Sequence, residues 1–180
     1  MISKTNILAI CGSTRKNSAN LQIINAIKEL SKEQFEITFY NALDTLPYFN
    51  QDIKDENAPA SVLTFRKMIE QADGVLICTP EYVFSLPGIL KNALEWTVST
   101  TIFSDKPTIL ITASSSGEKA HESLLLIMKT LGIKTNEDMC LLISGVKSKL
   151  DVNGNVTDIA LKERLLNLIA AAVGLINNSL

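Results

Sequence analysis

The chain has little of what a metal centre or a hydrolase is built from. Its 180 residues include one histidine, His121, and three cysteines, at 11, 78 and 140. An odd number of cysteines, none spaced C-x-x-C, excludes a disulfide framework and a cysteine zinc site. They read as small residues in or at the ends of apolar runs, kept as thiols in a reducing compartment. His121 stands three residues beyond Glu118 with no second His or Cys nearby, so it reads as a surface residue. A Ser-His-Asp hydrolase has nothing else to be built on. Basic surplus is also missing. Seventeen Lys and Arg face 19 Asp and Glu, a net charge of −2, and the electrostatic footprint of a nucleic-acid binder is absent. No apolar stretch approaches the roughly 20 residues of a membrane span, and no signal-peptide pattern precedes the first strand-like run. The expectation is a cytoplasmic, soluble chain, one domain over residues 1–180, with neither membrane nor nucleic acid as partner.

Familiar fingerprints are absent too. There is no G-x-G-x-x-G and no G-x-x-x-x-G-K-[ST], which disfavours a dinucleotide fold of the usual kind and an NTPase loop. A-S-S-S-G at 113–117 lacks the first glycine of a nucleophile elbow. The first and third apolar runs end in Cys-Gly and Cys-Thr, without the aspartates of a phosphoacceptor. D-V-N-G-N at 151–155 has its glycine misplaced for a calcium loop, and no Glu closes it. No metal ligand set is expected.

What is present is a regular alternation of strand-like and helix-like segments. Asn6–Cys11, Phe35–Tyr40, Asp73–Thr79, Thr108–Thr112 and Met139–Ser144 read as strands; the first, third and fourth are almost wholly apolar, as in strands covered on both faces. Helical periodicity runs over Ser18–Leu30, Pro59–Gln71, Leu86–Val98, Ala120–Leu131 and Asp158–Ile176, with Ser85 a plausible N-cap for the third. Asn153-Gly154 signals a tight turn before the last helix. Five strands, each followed by a helix, imply an α/β fold with a five-stranded parallel sheet and helices on both faces.

Ligands in such sheets bind beyond the carboxyl ends of the strands. The loops at that edge are 12–17, 41–51, 80–85 and 114–119. The first, in G-S-T-R-K-N-S-A-N at 12–20, gathers hydroxyls, amides and two cations at a helix start, where unpaired N–H groups favour an anion. A polar loop whose Asn17 or Ser18 simply caps the helix is the plainer alternative; the density of donors favours a monophosphate site. The third loop opens P-E-Y-V-F-S-L-P-G-I-L-K-N-A-L-E-W at 80–96. It is apolar and aromatic, keeps its backbone N–H groups, and suits a flat, partly polar ring. Within this stretch Lys91 and Glu95 form an i, i+4 helix pair in the less favourable order, and Trp96 reads as core or interface.

Both motifs resemble those of the NAD(P)H-dependent FMN reductases, relatives of quinone, chromate and azo-dye reductases in the flavodoxin-like superfamily. Residues 12–20 are similar to the family's G-S-x-R-x-x-S-x-N, and residues 80–96 to its P-E-Y-N-x-S-x-P-G-x-L-K-N-A-x-D-W. Val83 stands where the family has Asn, and Ser116-Gly117-Glu118-Lys119 where it has a glycine pair and an Arg. The resemblance implies a flavodoxin-like three-layer sandwich with strand order 2-1-3-4-5. It implies FMN as cofactor, with Ser13, Arg15, Ser18, Ala19 and Asn20 at the phosphate. Pro80, Glu81, Tyr82, Val83 and Phe84 would border the flavin ring, mainly through backbone atoms, and Ser114, Ser116 and Gly117 its other side. It further implies NADPH or NADH as co-substrate, a quinone, azo compound or free flavin as acceptor, a ping-pong cycle with no catalytic side chain, and a homodimer or homotetramer. A flavodoxin-type electron carrier would share fold and cofactor, but such carriers are strongly acidic. A non-catalytic nucleotide-binding protein of the same fold is the other alternative.

Overall fold

The structure is a computed structural model, and it describes residues 4–177. Five strands, β1 (Thr5–Cys11), β2 (Phe35–Tyr40), β3 (Gly74–Thr79), β4 (Thr108–Ser114) and β5 (Cys140–Ser144), form one sheet. All pairings are parallel and the order is β2-β1-β3-β4-β5. This is the flavodoxin-like order that the two motifs implied. Five helices connect and flank the strands: α1 (Ala19–Leu30), α2 (Ala60–Gln71), α3 (Gly88–Glu95), α4 (Glu118–Thr130) and α5 (Ile159–Asn177).

Strand periodicity divides the core between the two faces. Ile7, Ala9, Leu76, Cys78, Ile109 and Ile111 pack with α1 and α5 on one side. Leu8, Ile10, Val75, Ile77 and Leu110 pack with α2, α3 and α4 on the other. Every residue of β3 is buried, which explains its unbroken apolar run at the centre of the sheet. Gly74 begins that strand so close to Ile7 and the Pro107 carbonyl that a side chain has little room.

The third helix differs from the expectation. Ser85 does not cap it; α3 starts at Gly88 behind Pro87, and Ser85 is held in a turn with Tyr82. Pro87 fixes its own φ at −54° and gives the chain its entry angle. The helix is also shorter than predicted, ending at Glu95 and giving way to turns. Its last residues serve another purpose. Asn92 accepts from Phe49 N–H at 2.7 Å and donates to the Pro47 carbonyl at 3.0 Å, and Trp96 Nε1 donates to that carbonyl at 2.8 Å. Phe49 meets the Trp96 ring edge-on, with centroids 5.2 Å apart. These contacts strap the long β2–α2 connection over α3. The Lys91–Glu95 pair does form, at 2.6 Å. Asn153-Gly154 makes the expected turn, with Gly154 at φ 85°.

Candidate functional site

The carboxyl end of β1 runs straight into the first loop. Gly12 N–H extends the ladder by donating to the Cys78 carbonyl at 2.8 Å, and a Cβ at Gly12 would run into the Thr79 side chain. Only glycine lets the loop leave the sheet so close to β3. Ser18 caps α1: its Oγ accepts from Leu21 N–H at 3.1 Å. The plainer reading of Ser18 is therefore correct for its acceptor lone pair, and its hydroxyl also lies 3.8 Å from the Cys11 thiol, a pair in which either group can donate. The first helical N–H groups, those of Ala19 and Asn20, lie ahead of the intrahelical ladder.

Asn20 is the clearest departure from the expected set. Its amide is buried, donating to the Ala113 carbonyl at 3.1 Å and accepting from the Cys78 thiol at 3.3 Å. That side chain stitches α1 to β3 and β4 and is not turned out as a phosphate donor; what Asn20 offers an anion is its backbone N–H. Arg15 is exposed, and its guanidinium has no partner among the described residues. Burial pushes both the Cys11 and Cys78 thiols up, Cys78 well above its ordinary value, so neither is poised as a thiolate.

Past β3, Tyr82 and Ser85 exchange backbone hydrogen bonds of 3.0 and 3.1 Å. Between them Val83 and Phe84 take φ 51° and 57°. Positive φ at both central positions is the signature of a type I′ turn. The turn leaves Val83 94% and Phe84 79% exposed, with their N–H groups outside the turn's own hydrogen bonds.

Glu81 does something the sequence did not show. Gly117, at φ 95°, occupies the N-cap position of α4 and has no side chain with which to cap it. The Glu81 carboxylate supplies the cap from the neighbouring loop, accepting from Gly117 N–H at 3.3 Å and Ala120 N–H at 2.9 Å. The third and fourth loops are thereby one unit. Nor is His121 a surface residue. It is half-buried in the first turn of α4, 3.0 Å from the Thr112 hydroxyl, and burial lowers its pKa below the ordinary histidine range.

These loops enclose a cavity of about 180 Å³. Ser13, Arg15, Ser18, Ala19 and Asn20 line it from the first loop, Pro80, Glu81 and Tyr82 from the third, and Ser114 and Ser115 from the fourth. Val83 and Phe84 stand outside it on the exposed turn, and Ser116 and Gly117 lie beyond its fourth-loop wall; the Ser116 carbonyl accepts from Ser144 Oγ. The volume is below the roughly 300–1,000 Å³ of sites that enclose a drug-sized ligand. Unforeseen were Val146 and Lys147, which line the cavity from the loop after β5; Gly145 in S-G-V-K-S-K was the one local signal of a turn there. Among the described residues no cluster of His, Cys, Asp and Glu could hold a metal ion.

Comparison with known proteins decides between chemistries that this edge could serve. The family model described as NADPH-dependent FMN reductase matches residues 5–147. The chain belongs to this family. A 2-hydroxy-1,4-benzoquinone reductase from Burkholderia sp is 33% identical over 83% of this chain and 84% of its own. An NAD(P)H:quinone oxidoreductase from Solanum tuberosum is 30% identical over 92% of this chain and 89% of its own. Among solved structures, the flavoenzyme NAD(P)H:(acceptor) oxidoreductase from Paracoccus denitrificans superposes with a TM-score of 0.78, at 25% identity, over 97% of this chain and 98% of that one. The protein is accordingly an oxidoreductase, with FMN as its flavin and NAD(P)H as the reductant of its family. Among the described residues no helix is long and apolar enough to cross a membrane.

Proposed function

We propose that this FMN reductase relative passes hydride from NAD(P)H to quinones in a ping-pong cycle, with the flavin phosphate at the first loop and its ring along Tyr82–Phe84. The observation that carries the reading is the donor set of the cavity. An unpartnered Arg15, Ser13, Ser18 and the start of α1 with its leading N–H groups line one cavity, where an anion is favoured. Bound there, FMN supplies the hydride chemistry, so no side chain need serve as acid, base or nucleophile. The protein binds, orients and stabilises charge. Arg15 and the helix start would hold the phosphate, and the N–H groups of Val83 and Phe84 would offer donors to the charge that a flavin ring takes up. With Val83 and Phe84 exposed on this turn, a ring held along it would be reachable from solvent by reductant and acceptor in turn.

Quinones are favoured as acceptors by the names of the two relatives above. A second copy of the chain is the partner we infer. It is supported by an apolar groove of about 380 Å³ between α3 and α4, where Val98 and Leu126 are exposed. A reducing, cytoplasmic setting accords with three unpaired thiols.

Initial rates of NADPH oxidation, measured against a benzoquinone with FMN present, test the cycle. Parallel double-reciprocal lines at several fixed quinone concentrations are expected. Intersecting lines would overturn the ping-pong order, and absence of turnover would overturn the activity.

A further inference from the structure

The loop after β5 brings a second cation to the cavity. Gly145 turns at φ 63°, its N–H donating to the Ser115 carbonyl at 3.0 Å, and Ser144 Oγ donates to the Ser116 carbonyl at 2.8 Å. Val146 is buried beneath the turn and Ser148 closes it by bonding back to the Gly145 carbonyl at 2.8 Å. This loop is therefore fixed to the fourth loop, and the residue between Val146 and Ser148 is presented from a rigid base. That residue is Lys147, which lines the same cavity as Ser13, Arg15 and Asn20. Its neighbour Lys149 is taken by Asp158 at 3.1 Å, but Lys147 has no acidic partner among the described residues.

The charge balance of the cavity points to a ligand. Two cations line it, Arg15 and Lys147, against one carboxylate, Glu81, whose oxygens are engaged by Gly117 and Ala120 N–H. A phosphate monoester carries about −1.5 to −2 at neutral pH, the complement of that pair. We propose that Lys147 is a second anchor for the flavin's phosphate, gripping from the β5 loop the group that Arg15 and the α1 start hold from the β1 loop. This rests on the FMN reading above and adds to it a residue from the loop after β5, a strand three places removed from β1 in the sheet. The two cations differ in kind: Arg15 offers a planar fork and Lys147 a point charge on a flexible stem. Lys147 thus contributes affinity for a phosphorylated flavin without fixing its orientation.

Titration of the flavin-free protein with FMN, followed by quenching of flavin fluorescence at low salt, tests this on wild type, Lys147→Arg, Lys147→Ala and Lys147→Glu. Dissociation constants are expected to rise in that order: within a few-fold for Arg, about tenfold for Ala, and further for Glu. Riboflavin, which lacks the phosphate, should bind all four alike. Equal FMN affinity across the series would overturn the assignment, as would parallel losses for FMN and riboflavin. A raised KM for NADPH with FMN affinity intact would also overturn it and give Lys147 to the reductant. Failure of the wild type to take up FMN is a separate result that would sink the FMN reading itself.

Discussion

The Glu81 carboxylate accepts from the backbone N–H of Ala120 at 2.9 Å, across 39 residues of chain. With its second oxygen on Gly117 it caps a helix whose own N-cap position carries no side chain. Glu81→Ala leaves those N–H groups without their carboxylate at a partly buried junction. We expect a loss of about 1–2 kcal/mol in stability, read as a lower urea midpoint at unchanged slope. Because the residue also joins the third and fourth loops, FMN affinity should fall with it. An unchanged midpoint would show that the cap carries no weight.

Val83 is under conformational strain for no gain in burial. It is β-branched, sits at φ 51° and is 94% exposed. A non-glycine residue in the left-handed region costs roughly 1–2 kcal/mol, less for Asn, whose short amide tolerates it. Val83→Asn should therefore stabilise the protein by about 1 kcal/mol, seen as a higher urea midpoint. No gain would mean that the turn relaxes out of its left-handed form in solution.

His121 gives stability a pH dependence of defined sign. Burial lowers its pKa in the folded state, so below the ordinary histidine range of about 6.5 the unfolded chain takes up a proton that the folded chain resists. The unfolded state then binds more protons, and stability falls as pH drops from about 7 toward 5. Unfolding of wild type and His121→Gln at the two pH values isolates this part. The variant should show the shallower fall, and equal falls would mean that the imidazole protonates freely in place.

The sheet and the two motifs were legible because they are local. Unbroken apolar runs at Asn6–Cys11 and Asp73–Thr79 mark central strands, and residues 12–20 and 80–96 carry their pattern in sequence. Most of what was misread depends on partners far along the chain, and one misreading on a near neighbour. Ser85 looks like a cap until Pro87 is seen to start the helix two residues later. Asn20 looks like a phosphate ligand until β3 and β4 claim its amide. Asn92 and Trp96 hold Pro47 and Phe49, some 45 residues away, a contact no spacing rule predicts. Lys147 was missed because the loop after β5 has no distinctive composition, only a glycine whose positive φ turns it toward the site.

FMN is proposed to seat its phosphate in the loop after β1. The most direct test is the FMN dissociation constant of the flavin-free protein against that of Arg15→Ala. Wild type should bind FMN and quench its fluorescence, and the variant should bind at least about tenfold more weakly, as expected for the loss of a charge-assisted hydrogen bond. Equal affinity for the two proteins, or a wild type that leaves added FMN unbound, would rule out a flavin phosphate held there by Arg15.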